Sequence, residues 1–389
     1  MNFLALRMLV GDRAKYIGIV FGITFAAMLI TQQVSIFCGL MSRTFSFISD
    51  TGYPDVWVMD PKVQFIDDIK PLLDTQLLRV RGVEGVEWAV PLYKGLIKAR
   101  LSDGTFQNCN VIGLDDASLI GGPPRMVEGS LEDLRRADGV IVDEVGASSR
   151  LAHVELDEKG KVISTRSLKV GDLLELNDRR AVVVGICSVQ RTFQSQPVIY
   201  TTYSRATKFA PRERKLLSFI CVKAKSGVDH AALAGRIESD TGLAALSARE
   251  FSWKTMLYFM KYTGIPINFG IAVALGFVVG TAIAGQTFYQ FTTDNLRQFG
   301  ALKAMGATNL RLLGMIFLQA LVVGVIGYGL GVGAASTFAV LARKSELAFL
   351  LLWQTLAATG GAITLICLLA SLLSIWNVMR LEPAIVFKG

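Results

Sequence analysis

The chain has few charged residues and almost no histidine. Asp, Glu, Lys and Arg make up 19% of its 389 residues, whereas soluble proteins usually contain about 25%. Its two histidines, His153 and His230, show no metal-ligand spacing, and no serine lies in a G-x-S-x-G sequence. The sequence therefore gives little support to an enzyme, and we expect no catalytic residues and no metal site in this chain.

The sequence also lacks a nucleotide-binding motif and a basic patch suited to nucleic acid. It contains no G-x-x-x-x-G-K-[ST] sequence, so we expect that the chain itself binds neither ATP nor another cofactor. The formal net charge is +8, but the basic residues are not clustered with aromatic residues on one face, as nucleic-acid recognition requires. We therefore expect no nucleic-acid partner.

The five cysteines do not form a recognisable framework. Cys38 and Cys367 lie in long apolar stretches, whereas Cys109, Cys187 and Cys221 are scattered between them without C-x-x-C spacing. One disulfide among the latter three is possible, and it would leave the third thiol unpaired. Buried free thiols are the preferred interpretation.

What the sequence has in abundance is uninterrupted apolar stretches. Residues 16–42, 262–293, 312–342 and 347–379 contain no charged residue, and each exceeds the roughly 20 residues needed to cross a bilayer. In lipid the backbone must satisfy its own hydrogen bonds, so these stretches are predicted to be transmembrane helices. Residues 43–261 hold 30 of the 40 Lys and Arg and 28 of the 32 Asp and Glu. Strand-like runs with hairpin signals at 102–104 and 177–180 predict an α+β domain there.

The predicted fold class is therefore a membrane α-helical protein with four spans in a 1+3 layout and a large extracytoplasmic α+β domain after the first span. Its orientation follows from Lys and Arg in the short flanks. Eight lie in 1–15, 294–311 and 380–389, and two in the turn between the last two spans. Both termini are therefore predicted to be cytoplasmic. Residues 1–15 are interpreted as an amphipathic helix on the membrane lipids, or else as a continuation of the first span.

The connection 294–311 is polar but carries an apolar residue at every third position. Leu296, Phe299, Leu302 and Met305 would share one face of a helix, which predicts that this face is buried against something other than lipid. Gly306 suits the end of such a helix.

This connection resembles a known family. RQFGALKAMGA, residues 297–307, is similar to the coupling helix of MacB/FtsX-type ABC permeases, with Gln298 and Phe299 where the family often has Glu and Ile. The ending RLEPA at 380–384 and the runs KVGDLLEL at 169–176 and VVGI at 183–186 also resemble that family. The segments FSW at 251–253, TGIPINFG at 263–270 and GTAIAGQTF at 280–288 resemble its DevC-type branch.

The resemblance implies a permease subunit of an exporter in the bacterial inner membrane. ATP and Mg²⁺ would be bound by a separate ABC ATPase, whose motion reaches the periplasmic domain and drives export of a lipid-like or amphiphilic substrate. Such permeases act as dimers, with a second copy or a close homologue, and the branch works with a membrane-fusion adaptor and an outer-membrane duct. The expected ATPase-coupling residues are Leu296, Arg297, Gln298, Phe299, Gly300, Leu302, Lys303, Met305 and Gly306. The apolar face was expected to enter a groove of the ATPase.

Two pairs of glycines four residues apart, Gly276/Gly280 and Gly327/Gly331, allow helices to approach closely. They could form a dimer face or pack inside one subunit, and spacing alone favours the second. Two other functions stay open: a regulatory FtsX-like permease that activates cell-wall hydrolases, and a membrane-anchored receptor without an ATPase.

Overall fold

The computed structural model describes residues 2–156, 162–211, 216–342 and 347–379. The chain divides into two compact units: a membrane unit of Met1–Leu40 with Gly264–Gly389, and an outer unit of Met41–Thr263. The predicted 380–389 tail and the basic residues of the turn, Arg343 and Lys344, lie outside the described residues. The helices are α1 (Asn2–Gly11), α2 (Arg13–Thr44), α3 (Ser46–Thr51), α4 (Asp74–Arg81), α5 (Glu144–Ser148), α6 (Tyr203–Phe209), α7 (His230–Thr241), α8 (Ala248–Tyr262), α9 (Ile265–Asp294), α10 (Leu296–Ala304), α11 (Asn309–Leu341) and α12 (Trp353–Met379), with a 3₁₀ turn at Leu131–Arg135.

Four helices in the described parts of the chain are long and apolar enough to span a membrane. These are Arg13–Thr44, Ile265–Asp294, Asn309–Leu341 and Trp353–Leu372. The first precedes the outer unit and the other three follow it, which confirms the predicted fold class. Inside the membrane unit the four helices share a core of apolar side chains from α2, α9, α11 and α12, including Ile23, Phe288, Val323 and Ile366.

The prediction of one helix over 347–379 is wrong at its start. Residues 347–352 are not helical, and α12 begins at Trp353. The Leu350 N–H donates to the Ser35 carbonyl of α2 at 3.0 Å. Gly39 permits this close approach, since a Cβ there would lie 2.7 Å from the carbonyl carbon of Ala348. A non-helical segment satisfies its backbone against neighbouring protein, and the absence of charge cannot distinguish it from a helix.

The outer unit is an α+β domain with two lobes that share one long strand. Its strands are β1 (Val56–Met59), β2 (Val86–Arg100), β3 (Phe106–Leu114), β4 (Arg125–Glu128), β5 (Gly139–Asp143), β6 (His153–Leu156), β7 (Val162–Arg166), β8 (Leu173–Leu176), β9 (Arg179–Ser188), β10 (Val198–Thr202), β11 (Phe219–Ala224) and β12 (Ala244–Ser247). β2 pairs with β11 over its first half and with β3 over its second half. Pro91 and Gly95, residue types that usually interrupt strands, lie inside this continuous strand.

The two lobes differ in how their strands close. In one, β2, β3, β10, β5, β9 and β8 form a ring, since β8 pairs with both β9 and β2. In the other, β12, β1, β11 and β2 form an antiparallel sheet, and apolar residues of α4 and α7 such as Val80, Leu233 and Ile237 pack with those of its strands. Both predicted hairpins are present; Asn177 and Asp178 have positive φ, as a two-residue turn of this kind requires.

All five cysteines are free, which confirms the preferred interpretation. Cys109, Cys187 and Cys221 are buried in the outer unit, and burial raises the pKa of the Cys109 thiol to about 12. A buried thiol with a raised pKa forms little thiolate and is chemically inert.

Candidate functional site

The segment 294–311 is not helical along its whole length; α10 covers only Leu296–Ala304. α10 ends after Ala304, and Gly306 follows with φ of +93°. The N–H of Gly306 donates to the Lys303 carbonyl and the N–H of Ala307 to the Leu302 carbonyl. This is the Schellman arrangement that a glycine after a helix permits, so the expectation that Gly306 ends the helix is confirmed. α11 then begins at Asn309.

The apolar face of α10 packs against its own chain. Phe299 is fully buried in a cluster with Ala5 of α1 and with Leu312, Met315 and Ile316 of α11. Leu302 packs at the edge of this cluster. The expectation that Phe299 enters a groove of another protein is therefore wrong in this structure. The three-residue spacing predicted burial correctly for Phe299, whereas Leu296 and Leu302 are half-buried and Met305 is exposed. The spacing carried no information about which surface buries Phe299.

The exposed part of this segment lies elsewhere. Met305 is 75% exposed and Leu310, which the sequence analysis did not select, is 79% exposed. Arg297 and Gln298 are also exposed, whereas Gly300 is buried and Leu296 and Lys303 are half-buried. Leu310 was missed because it lies outside the three-residue spacing of Leu296, Phe299, Leu302 and Met305. Two large apolar side chains thus project from the turn that joins α10 to α11.

Charged side chains link helix ends near the start of α10. The Lys15 ammonium at the start of α2 forms ion pairs with Asp12, at 2.7 Å, and with Asp294, the last residue of α9. The hydrogen bond from Lys15 lowers the pKa of the Asp12 carboxyl below its usual value. Asp12 and Asp294 are two of only four acidic residues outside 43–261. Through Lys15, these two carboxylates connect the start of α2 to the end of α9, two residues before α10 begins.

The four selected glycines pack inside the bundle. A Cβ at Gly331 would lie 2.5 Å from the Ala27 Cβ, and one at Gly327 would lie 2.7 Å from the Ile23 Cγ2. A Cβ at Gly280 would lie 2.4 Å from the Ala26 Cβ, whereas one at Gly276 would lie 3.4 Å from the Leu29 Cβ, close to an ordinary contact. All of these neighbours belong to α2. The structure thus supports packing inside one subunit, the alternative that the spacing favours, over a dimer face, because α2 of the same chain covers these four glycines.

Comparisons with known proteins agree with this architecture. Residues 17–240 match the MacB-like periplasmic core domain, and residues 270–383 match the FtsX-like permease C-terminal domain. An uncharacterized ABC transporter permease of Mycobacterium tuberculosis is 26% identical over 320 residues, which cover 82% of this chain and 80% of that protein. One from Methanocaldococcus jannaschii is 26% identical over 191 residues, 46% of this chain and 47% of that protein.

Two solved structures are also similar to parts of this chain. The extracellular domain of the noncanonic ABC-type transporter YknZ from Gram-positive bacteria has a TM-score of 0.33 and 12% identity, covering 50% of this chain and 99% of that one. The periplasmic region of MacB from Actinobacillus actinomycetemcomitans has a TM-score of 0.37 and 14% identity, covering 51% and 91%.

Proposed function

Because this chain belongs to the ABC transporter permeases that join a MacB-like periplasmic core domain to an FtsX-like C-terminal domain, we propose that it transmits ATP-driven motion to its outer unit and so exports a lipid-like or amphiphilic substrate. The family implies a partner ATPase, which would bind ATP and Mg²⁺. The observation that carries the proposal is the junction of α10 and α11, where Met305 and Leu310 are exposed while Phe299 is buried and Leu296 and Leu302 are half-buried.

The structure supports a revised contact surface for this ATPase. Met305 and Leu310 project from the turn, and Arg297 is exposed on α10. Large apolar side chains that fill pockets contribute most of the affinity of an interface, whereas exposed charges at its rim contribute little. The matching surface on the ATPase would be an apolar pocket with acidic residues at its rim. The previously expected residues Phe299 and Leu302 would shape this surface from behind by fixing α10 against α11.

This surface can be tested with the double variant Met305→Ala/Leu310→Ala. Loss of two anchors that each contribute more than about 1 kcal/mol should weaken binding of the ATPase at least about tenfold. Both side chains are largely exposed, so the permease itself should remain folded. The measurement is the affinity of the purified ATPase for permease in nanodiscs, with Phe3→Ala, an exposed apolar residue of α1, as the control. Wild-type affinity in the double variant would refute the proposed surface.

We also propose that both termini are cytoplasmic, on the basis of the uneven distribution of Lys and Arg between the flanks. In intact cells, a membrane-impermeant thiol reagent should label Asp178→Cys, in the exposed turn between β8 and β9, and should not label Asn309→Cys. The buried native thiols of the outer unit should give little background. Labelling of Asn309→Cys in cells that remain intact would contradict this orientation, and labelling after permeabilisation is the control that the site is reactive.

The resemblance to the DevC-type branch supports further elements of the proposal, which concern the oligomeric state, the partners and the membrane. The permease would act as a dimer of two copies or of close homologues, with a membrane-fusion adaptor and an outer-membrane duct, in the inner membrane of a two-membrane bacterium. Since the four close-packing glycines contact α2 of their own chain, the dimer contact would involve other surfaces.

A further inference from the structure

The N-terminal helix α1 has one face inside the membrane unit and one face outside it. Ala5 and Leu9 are buried, and Ala5 packs in the same cluster as Phe299 and the first turns of α11. Phe3 and Val10 are exposed. Leu9 and its neighbour Val10 therefore lie on opposite sides of α1. α1 and α10 therefore pack against the same part of α11.

A buried carboxamide joins α1 to α11. Gln319 is fully buried, and its Nε2 donates to the Ala5 carbonyl at 2.8 Å. Its Oε1 is buried without a hydrogen-bond partner among the described residues. An unpaired buried amide oxygen is unfavourable for folding, and an apolar side chain of similar size would avoid it. A polar side chain at position 319 is therefore explained by the hydrogen bond that its N–H₂ group donates to Ala5, which holds α1 against α11.

Lys15 forms a second link, which joins the end of α1 to the end of α9, just before α10. Asp12, the residue after α1, and Asp294, two residues before α10, both pair with this lysine. Each of these partly exposed pairs contributes little alone, but together with the buried hydrogen bond they fix α1 at both of its ends. A displacement of α10 would reach α9 directly through the backbone. It would also reach α2 through α1, and α2 leads into the outer unit.

The outer face of α1 is suited to lipid. Phe3 and Val10 are exposed, and the Arg7 guanidinium lies 5.2 Å from the centre of the Phe3 ring. Apolar and aromatic residues with an arginine on one helix face are typical of helices that lie at the headgroup boundary. Ile17 and Phe21, at the start of the membrane span that follows α1 in the chain, are also exposed. Exposed apolar side chains on both α1 and the beginning of a membrane span indicate that lipid, rather than a protein, covers the outer face of α1.

We propose that α1 is a lipid-bound support for the coupling helix α10, and that Gln319 is a positioning residue which keeps α1 against α11. This rests on the proposed function, and it assigns α1 a part in that function which does not require contact with the ATPase. Releasing α1 should therefore leave the ATPase bound and reduce the response of ATP hydrolysis to the permease.

The test compares inner-face and outer-face variants of α1 in the full chain with its ATPase in nanodiscs. Ala5→Leu overpacks the inner face and should lower permease-stimulated hydrolysis at least about fivefold. Gln319→Leu removes the hydrogen bond to Ala5 and also the unpaired amide oxygen. The average strength of such hydrogen bonds in membranes corresponds to about a threefold loss of permease-stimulated hydrolysis. Gly11→Leu at the end of α1 is the matched control, because a Cβ at Gly11 would meet no atom of the described residues within 4 Å. Affinity for the ATPase should stay within about twofold of wild type in all three.

A nitroxide label on Phe3→Cys reports the position of α1 independently of activity. It should be ordered in wild type, more mobile in Ala5→Leu, and more accessible to oxygen in lipid than to a water-soluble nickel chelate. The proposal would be overturned if stimulated hydrolysis stayed at the wild-type level in both Ala5→Leu and Gln319→Leu. It would also be overturned if either variant lost ATPase binding while the label on α1 stayed ordered, or if the label were more accessible to the nickel chelate than to oxygen. If the wild-type chain binds no ATPase at all, the proposed function itself fails, which is a different result from any of these.

Discussion

Replacing Gly331 with leucine should leave little or no folded membrane unit. Even a Cβ atom at this position would lie 2.5 Å from the Ala27 Cβ and 2.7 Å from the Thr24 carbonyl oxygen. The second of these is a backbone atom of α2, so the clash cannot be relieved by a side-chain rotation, and α2 and α11 must move apart. Overpacking a core typically costs about 1–3 kcal/mol, and contact with a neighbouring backbone should place this variant at or above the upper end.

The matched control is Gly333→Leu, two residues further along the same helix. A Cβ at Gly333 would meet no atom of the described residues within 4 Å, so this variant adds the same side chain to the same helix without a clash. The measurement is the yield of monodisperse protein by size-exclusion chromatography, followed by its thermal unfolding. Equal yield and equal unfolding temperature for the two variants would show that α2 and α11 do not pack as described.

Replacing Phe299 with alanine should destabilise α10 rather than only weaken the contact with the ATPase. Phe299 is fully buried between α1 and α11, and truncation of a buried phenylalanine typically costs about 3–5 kcal/mol. Since α10 has only nine residues, it depends on this packing to remain helical. Loss of the helix should then abolish stimulation of ATP hydrolysis.

Hydrogen exchange across residues 296–304 separates this result from a simple docking defect. Exchange should accelerate strongly in Phe299→Ala and remain at the wild-type rate in Met305→Ala, because the Met305 side chain is largely exposed and substitutions at exposed positions usually change stability by less than about 0.5 kcal/mol. If Phe299→Ala instead keeps full protection of α10 and still loses the ATPase, then Phe299 contacts the ATPase directly and the docking expected from the sequence was right.

The sequence was informative wherever one physical constraint acts alone. Lipid excludes charge, so the four spans and the outer unit could be located by the distribution of Lys, Arg, Asp and Glu. Positive φ requires particular residues, so Gly306 indicated the end of α10. Both features depend on the properties of a few neighbouring residues, and they needed no knowledge of the rest of the fold.

The candidate site was predicted less well, because its residues are defined by their partners. Phe299 was correctly expected to be buried, but its partners, Ala5 and Ile316, are distant in sequence. The spacing of Gly327 and Gly331 indicated close helix contact without showing that the neighbour is α2 of the same chain. Gln319 was overlooked because it is uncharged and lies within an apolar stretch, so nothing in the local pattern set it apart.

The long strand β2 has a thermodynamic consequence for the outer unit. Its first half supplies hydrogen bonds to the sheet of one lobe, and its second half closes the strand ring of the other. Neither lobe can therefore unfold completely without removing a strand from its neighbour. Each lobe has an apolar core of its own, and a further buried cluster joins residues of both lobes, such as Trp57, Ile112 and Phe219. The shared strand and this shared cluster make the lobes a single cooperative unit, which must gain or lose its structure as a whole.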